Sequence, residues 1–115
     1  MVGAHRGEVW WVDFGVPFGS EPGYRRPAIV VQADDFNKSR LSTVLLVPLT
    51  RTLEWAKAPG NLLLRPKQTG LKHVCVANVS QVTVSDRRRL IERIGALPGL
   101  ALRRLDEGLR QVFGL

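Results

Sequence analysis

Cysteine is almost absent. Cys75 is the only one in 115 residues, so no intrachain disulfide can form. It sits in the apolar stretch Val74-Cys75-Val76-Ala77 and reads as a small buried hydrophobe rather than a nucleophile. Histidine is scarce too. His5 and His73 stand far apart, and no Cys or His pair has ligand spacing, which argues against a dedicated metal site. No apolar run approaches the roughly 20 residues that cross a bilayer. The start, Met1 to Gly7, lacks the apolar region of a signal peptide, so a cytoplasmic protein is expected. Acidic residues are few, 10 against 17 Lys and Arg, which leaves a net charge of +7. No repeat, linker or low-complexity tract interrupts the chain.

What is present is an ordinary core and an excess of arginine. Hydrophobic residues make up 44% of the chain, enough for one core and one domain over residues 1–115. Thirteen of the 17 cations are arginine. Guanidinium is planar, forks onto phosphate and stacks on bases, so the bias leans towards an anionic partner such as RNA or DNA.

Gly7 to Phe14 alternates as a strand, with Val9, Trp11 and Asp13 on one face and Trp10, Val12 and Phe14 on the other. Trp10 and Trp11 cannot both point inwards from one face. Gly15 to Tyr24 is a Gly- and Pro-rich loop, longer than a hairpin needs, and loops of this kind often carry function. Pro27 starts a strand that continues through Gln32. Asp34 to Arg40 reads as a turn or short helix. Thr43 to Thr50 is apolar on both faces, hence central or dimer-facing. Thr52 to Ala58 could form a short helix capped by Thr52. Asn61 to Leu64 is a short strand, and Arg65 to Lys72 a polar loop. Strands are expected over His73 to Ala77, Ser80 to Val84 and Leu90 to Ile94. Arg87-Arg88-Arg89 reads as a solvated turn.

Pro98 to Phe113 is the one long helix. Leu102, Leu105, Leu109 and Val112 share a face, and Arg103–Glu107 and Asp106–Arg110 are four-apart charge pairs. Pro98 suits the first turn and Gly114 the C-terminal cap. The class is mainly β with α: a small, strongly bent sheet or partly closed barrel with short helices and a C-terminal amphipathic helix. Such a sheet brings the loop before Arg26 and the end of the Thr43–Thr50 strand to one surface.

Arg25 and Arg26 stand at the mouth of an apolar strand. Read alone, they are a solvated strand entrance. With Thr50 and Ser20 they also form a set that can neutralise and orient a phosphate while an RNA 2′-hydroxyl attacks it. A His–His acid–base pair is weak: His5 lies in a loose N-terminus, and His73 follows a lysine at a loop-to-strand step. Asp34 and Asp35 look like turn chemistry. Phe18 and Tyr24, in the long loop, are better base-stacking candidates than Trp10, Trp11 or Trp55, which read as core or interface.

An ordered series of short motifs resembles the MazF/PemK family of toxin endoribonucleases. It runs through Arg6-Gly7-Glu8-Val9-Trp10-Trp11-Val12-Asp13-Phe14, Gly19-Ser20-Glu21, Arg25-Arg26-Pro27 and Val47-Pro48-Leu49-Thr50. It continues through Ala58-Pro59-Gly60-Asn61, Asn78-Val79-Ser80-Gln81-Val82 and Leu105-Asp106-Glu107-Gly108-Leu109 to Gly114-Leu115. The resemblance implies a homodimer with an SH3-like barrel core. It implies sequence-specific cleavage of single-stranded RNA without metal or cofactor, leaving 2′,3′-cyclic phosphate and 5′-hydroxyl ends. It also implies a cognate antitoxin whose acidic, flexible tail occupies the RNA groove. Residue by residue, it makes Arg26 and Thr50 catalytic. It makes Ser20 and Gln81 RNA contacts, joined by Glu21 and by Arg25 as a phosphate contact. Because guanidinium stays protonated near neutral pH, Arg26 is expected to stabilise the transition state first and donate to the leaving oxygen second.

Two other readings share this fold. A gyrase poison of the CcdB type carries its gyrase contacts on the terminal helix, for which no match exists here. A non-catalytic SH3-like nucleic-acid-binding module would bind RNA in a salt-dependent way and leave it uncut.

Overall fold

The computed structural model describes residues 3–115. Met1 and Val2, the start of the segment read as lacking a signal peptide, lie outside the described residues. β1 (Glu8–Asp13) pairs antiparallel with β2 (Arg25–Val30), with Val12 opposite Arg26, and on its other edge with β7 (Leu90–Ala96). β2 continues onto β3 (Thr43–Thr50), where Ala28 faces Pro48.

β3 is the longest strand, and its far edge serves two partners. Thr43 to Leu46 pair with β6 (Thr83–Asp86), whereas Leu49 and Thr50 pair with β5 (Cys75–Ala77), which in turn pairs with β4 (Leu62–Leu64). Pro48 sits where the partners change. Its carbonyl accepts the Asn78 N–H at 3.0 Å from that same side, so the N–H that proline lacks falls in the gap between two partners. The change of partner turns the sheet into a half-barrel.

Alternation along the strands supplies two apolar layers. Val9, Ile29, Val47 and Leu49 face a cluster with Leu64, Cys75, Ala77 and Val79, closed by Ala101 and Leu105 of the terminal helix α3 (Gly99–Phe113). Trp10, Val12, Ala28, Val30, Val44, Leu46 and Leu90 form the opposite layer. The two tryptophans separate as their neighbouring positions require: Trp10 is 4% exposed and Trp11 36%.

On α3, Leu105 is fully buried and Leu102 and Leu109 flank the core, while Val112 runs past the edge of the core and stays half-exposed. Gly108 is buried because the helix lies directly on the Gly60 turn, where any Cβ would collide with the Gly60 carbonyl. Pro98 precedes the first turn, and Gly114 ends the helix in the left-handed region at φ 73°.

Local structure departs from the sequence reading at several points. The Thr52–Ala58 helix is a 3-10 turn over Leu53–Lys57, and Thr52 makes no side-chain cap. The Arg65–Lys72 loop contains a one-turn helix, α2 (Pro66–Thr69), ended by Gly70 at φ 85°. The turn or short helix expected over Asp34 to Arg40 is present as α1 (Asp34–Asn37). Residues Val79–Gln81 form a 3-10 turn and the strand begins at Thr83. Asp106 pairs not with Arg110 but with Arg6, at 2.6 Å. Tertiary contact overrides the weak helical pair. Arg87 is no solvated turn residue: it is buried and donates to the carbonyls of Asn37 at 2.6 Å and Phe36 at 2.9 Å.

Candidate nucleic-acid interface

The β1–β2 hairpin has an ordered neck. Beyond the Asp13–Arg25 pair, Phe14 N–H donates to the Tyr24 carbonyl at 2.8 Å and Tyr24 N–H to the Gly15 carbonyl at 2.6 Å. Tyr24 is held at φ 59°, the one positive-φ residue other than glycine among the described residues, and its side chain is exposed. A non-glycine residue held there carries backbone strain that the neck must hold. Gly23 admits no side chain, because a Cβ would strike the Pro17 ring.

This neck aims β2 into a cleft of about 740 Å3. Tyr24, Arg25 and Arg26 line it from β2 and the neck, Trp11 from β1, and Leu49, Thr50 and Arg51 from the end of β3. Leu71, Lys72, His73 and Cys75 come from the segment leading into β5. Arg26 and Thr50 therefore do share one surface. Arg26 is anchored by its Nε, which donates to the Gly23 carbonyl at 3.3 Å. Its two terminal nitrogens make no hydrogen bond among the described residues and are free to fork onto an anion. The Thr50 hydroxyl accepts the Thr52 N–H at 3.2 Å, which leaves its proton available to a ligand.

The electrostatics are one-sided. Arg25, Arg26, Arg51 and Lys72 line the cleft, and no carboxylate does. None of the four makes an ion pair among the described residues, whereas Arg6, Arg88 and Arg93 each have a carboxylate partner. Unpaired cations around an apolar floor repel one another until an anion enters, and such a field draws a polyanion in. Cys75, at the back of the cleft, is buried. Burial raises its thiol above the usual value, with Arg51 opposing in part, so it stays protonated and inert at neutral pH.

The remaining residues singled out from the sequence lie outside this cleft. Phe18, Ser20 and Glu21 sit at the exposed tip of the hairpin loop. Glu21 accepts the Phe18 N–H at 3.0 Å and also lines a smaller depression of about 250 Å3 with Phe14, Thr83 to Asp86 and Arg89. Gln81 reaches across the sheet and donates to the Ser20 carbonyl at 2.8 Å. It ties the tip to the 3-10 turn before β6 and leaves Phe18 86% exposed. Sequence reasoning passed over Trp11, Arg51, Lys72 and His73 as members of the cleft. Arg51 adjoins the Pro-Leu-Thr motif and could have been found there. Lys72 and His73 carry no local signal, because the turn that delivers them is fixed by packing of Gly70 against Ile94.

A half-barrel whose strand ends enclose a cationic, carboxylate-free cleft defines a polyanion-binding β domain. Comparison with known proteins narrows the class. The family model described as PemK-like, MazF-like toxin of type II toxin-antitoxin system matches residues 5–113. Endoribonuclease MazF6 of Mycobacterium tuberculosis is 38% identical over 110 residues, covering 96% of both chains. Among solved structures, MazF from Deinococcus radiodurans superposes with a TM-score of 0.80 at 24% identity over 100% of both chains. An endoribonuclease in complex with its cognate antitoxin, from a mycobacterial species, gives 0.75 at 20% identity, covering 100% of this chain and 97% of that one. The chain belongs to the PemK-like, MazF-like toxins of type II toxin–antitoxin systems.

Proposed function

We propose that residues 1–115 act as one toxin domain that cleaves single-stranded RNA in the cytoplasm, as a homodimer, without a metal ion or cofactor. The observation that carries this reading is the cleft itself: four cations without a carboxylate partner around the Thr50 hydroxyl, in a chain of this toxin family.

Phosphodiester cleavage by the neighbouring 2′-hydroxyl needs no enzyme nucleophile. It needs the attacking oxygen aligned, the charge on the phosphorane-like transition state neutralised, and protons moved. Arg26 supplies the fork. Its Nε bond to Gly23 fixes the guanidinium plane, and its free nitrogens meet the non-bridging oxygens as charge builds on them. Thr50 donates a neutral hydrogen bond that orients the same phosphate. Arg25 takes a flanking phosphate, and Tyr24 stacks on an adjoining base. The tip residues Phe18, Ser20 and Glu21, braced by Gln81, read the bases further along the strand. Products carry 2′,3′-cyclic phosphate and 5′-hydroxyl ends. The same cationic surface suits the acidic, flexible tail of a cognate antitoxin, which would silence the enzyme by occupying the RNA path. In support, a mycobacterial endoribonuclease of the same fold is known in complex with its cognate antitoxin.

The test is single-stranded RNA incubated in EDTA with the protein and with Arg26→Ala, followed by end-group analysis. Discrete cuts by the wild type are expected, with the rate lowered roughly 100- to 1000-fold in Arg26→Ala. RNA left intact by a folded wild type refutes the nuclease and leaves gyrase poisoning or simple nucleic-acid binding.

A further inference from the structure

We propose that His73 is the proton acceptor for the attacking 2′-hydroxyl, a role that rests on the endoribonuclease reading above. The cleft has donors in abundance. Arg25, Arg26, Arg51 and Lys72 carry cationic N–H groups only, and Thr50 offers a hydroxyl. Guanidinium is a poor base, so none of the arginines readily accepts the proton that leaves O2′. No carboxylate lines the cleft, and Cys75 is a buried thiol. Imidazole is the side-chain type that exchanges a proton near neutral pH, and among the lining residues only His73 carries one.

The fold delivers His73 to the right wall. Val76 faces Thr50 across the β3–β5 ladder, which places His73 three residues before the position opposite Thr50. The Gly70 turn, seated on Ile94, leads directly into Leu71, Lys72 and His73, which line the cleft. His73 is exposed, and its imidazole makes no hydrogen bond among the described residues, so both ring nitrogens are uncommitted. The other charged and titratable residues lining the cleft are Arg51 from the end of β3, Arg25 and Arg26 from β2, Tyr24 from the neck, and Lys72 and Cys75 from the segment that carries His73.

The step balances. As O2′ bonds to phosphorus, its proton passes to His73. The P–O5′ bond breaks with its electron pair on O5′, which Arg26 stabilises by hydrogen bonding. O5′ then takes up one proton from solvent water, and imidazolium releases one to solvent, so no co-reactant is consumed.

The experiment compares wild type, His73→Gln and Arg26→Ala in single-turnover cleavage across pH 5 to 9. Binding is measured separately, to the same RNA carrying a 2′-deoxy substitution at the cut. His73→Gln is expected to cleave about 100-fold or more slowly and to lack the acid-side fall in rate expected of the wild type. It should bind the deoxy-substituted RNA within about threefold of wild type. His73→Gly should regain rate with added imidazole, which a merely structural residue would not do. A His73→Gln rate within about threefold of wild type, an unchanged acid limb, or a loss wholly in binding overturns the proposal. In each of these cases the RNA is still cut and the nuclease reading stands. A wild type that cuts no RNA overturns that reading as well.

Discussion

Arginine serves opposite ends in two regions of this molecule. At the seam between the N-terminal segment and α3, Arg6 is spent. Its Nε donates to the Val31 carbonyl at 3.0 Å and its guanidinium grips Asp106 at 2.6 Å. Nearby, Arg93 donates to the buried Glu8 at 2.6 Å, and Glu8 also accepts from Trp10 Nε1 and the His5 N–H. In the cleft, Arg25, Arg26 and Arg51 have no carboxylate to hold. Paired cations at the seam lower the free energy of the folded chain. Unpaired cations in the cleft raise it slightly and keep their charge for a ligand. Stability and function thus draw on the same residue type through the presence or absence of a partner.

Breaking each region should therefore give non-overlapping phenotypes. Arg26→Ala, with the largest effect, removes most of the cleavage rate yet leaves the thermal midpoint nearly unchanged, as a melting curve beside the RNA assay will show. Arg6→Ala does the reverse. It should lose about 2 kcal/mol by urea denaturation while cleaving at an undiminished rate per folded molecule.

Acid should weaken the seam. Burial of Glu8 raises its carboxyl, but the bonds from His5, Trp10 and Arg93 outweigh that, and its net position is below the ordinary 4.5. The folded chain then binds the proton less readily than the unfolded one. Its stabilisation is complete above the unfolded value and is lost as pH falls through the lowered folded value. The melting temperature should decline below pH 4.5, and Glu8→Gln should flatten that decline. The smallest effect expected is on salt. Arg25→Gln should make binding of uncleavable RNA less salt-sensitive, by about 0.7 in the slope of log K against log salt. An unchanged slope means Arg25 meets no phosphate.

Much of this was legible in the sequence because the signals were local. Period-two alternation marked β1, apolar runs marked β2 and β3, a 3.6-residue stripe marked α3, and the resemblance carried by the Arg-Pro and Pro-Leu-Thr steps pointed to Arg26 and Thr50. What escaped was set at long range. Arg87 reads as one of three solvated arginines until the Phe36 and Asn37 carbonyls, about fifty positions upstream, are folded against it. Lys72 looks like loop polarity, and His73 like the start of a strand, until the fold brings both to the cleft. Asp106 looks like half of a helical pair until Arg6 arrives from the other end of the chain.

The cleft draws on Trp11 and on three further stretches distant in the chain: Gly23 to Pro27, Leu49 to Arg51 and Leu71 to Cys75. Its back wall, Leu49 and Cys75, belongs to the apolar layer that Ala101 and Leu105 of the last helix close. All of its lining residues fall between Trp11 and Cys75, but the helix that closes the layer behind them comes last in the chain. The residues of the groove are thus in place in the chain well before the helix that backs them, and its shape depends on the segment of the fold that comes last.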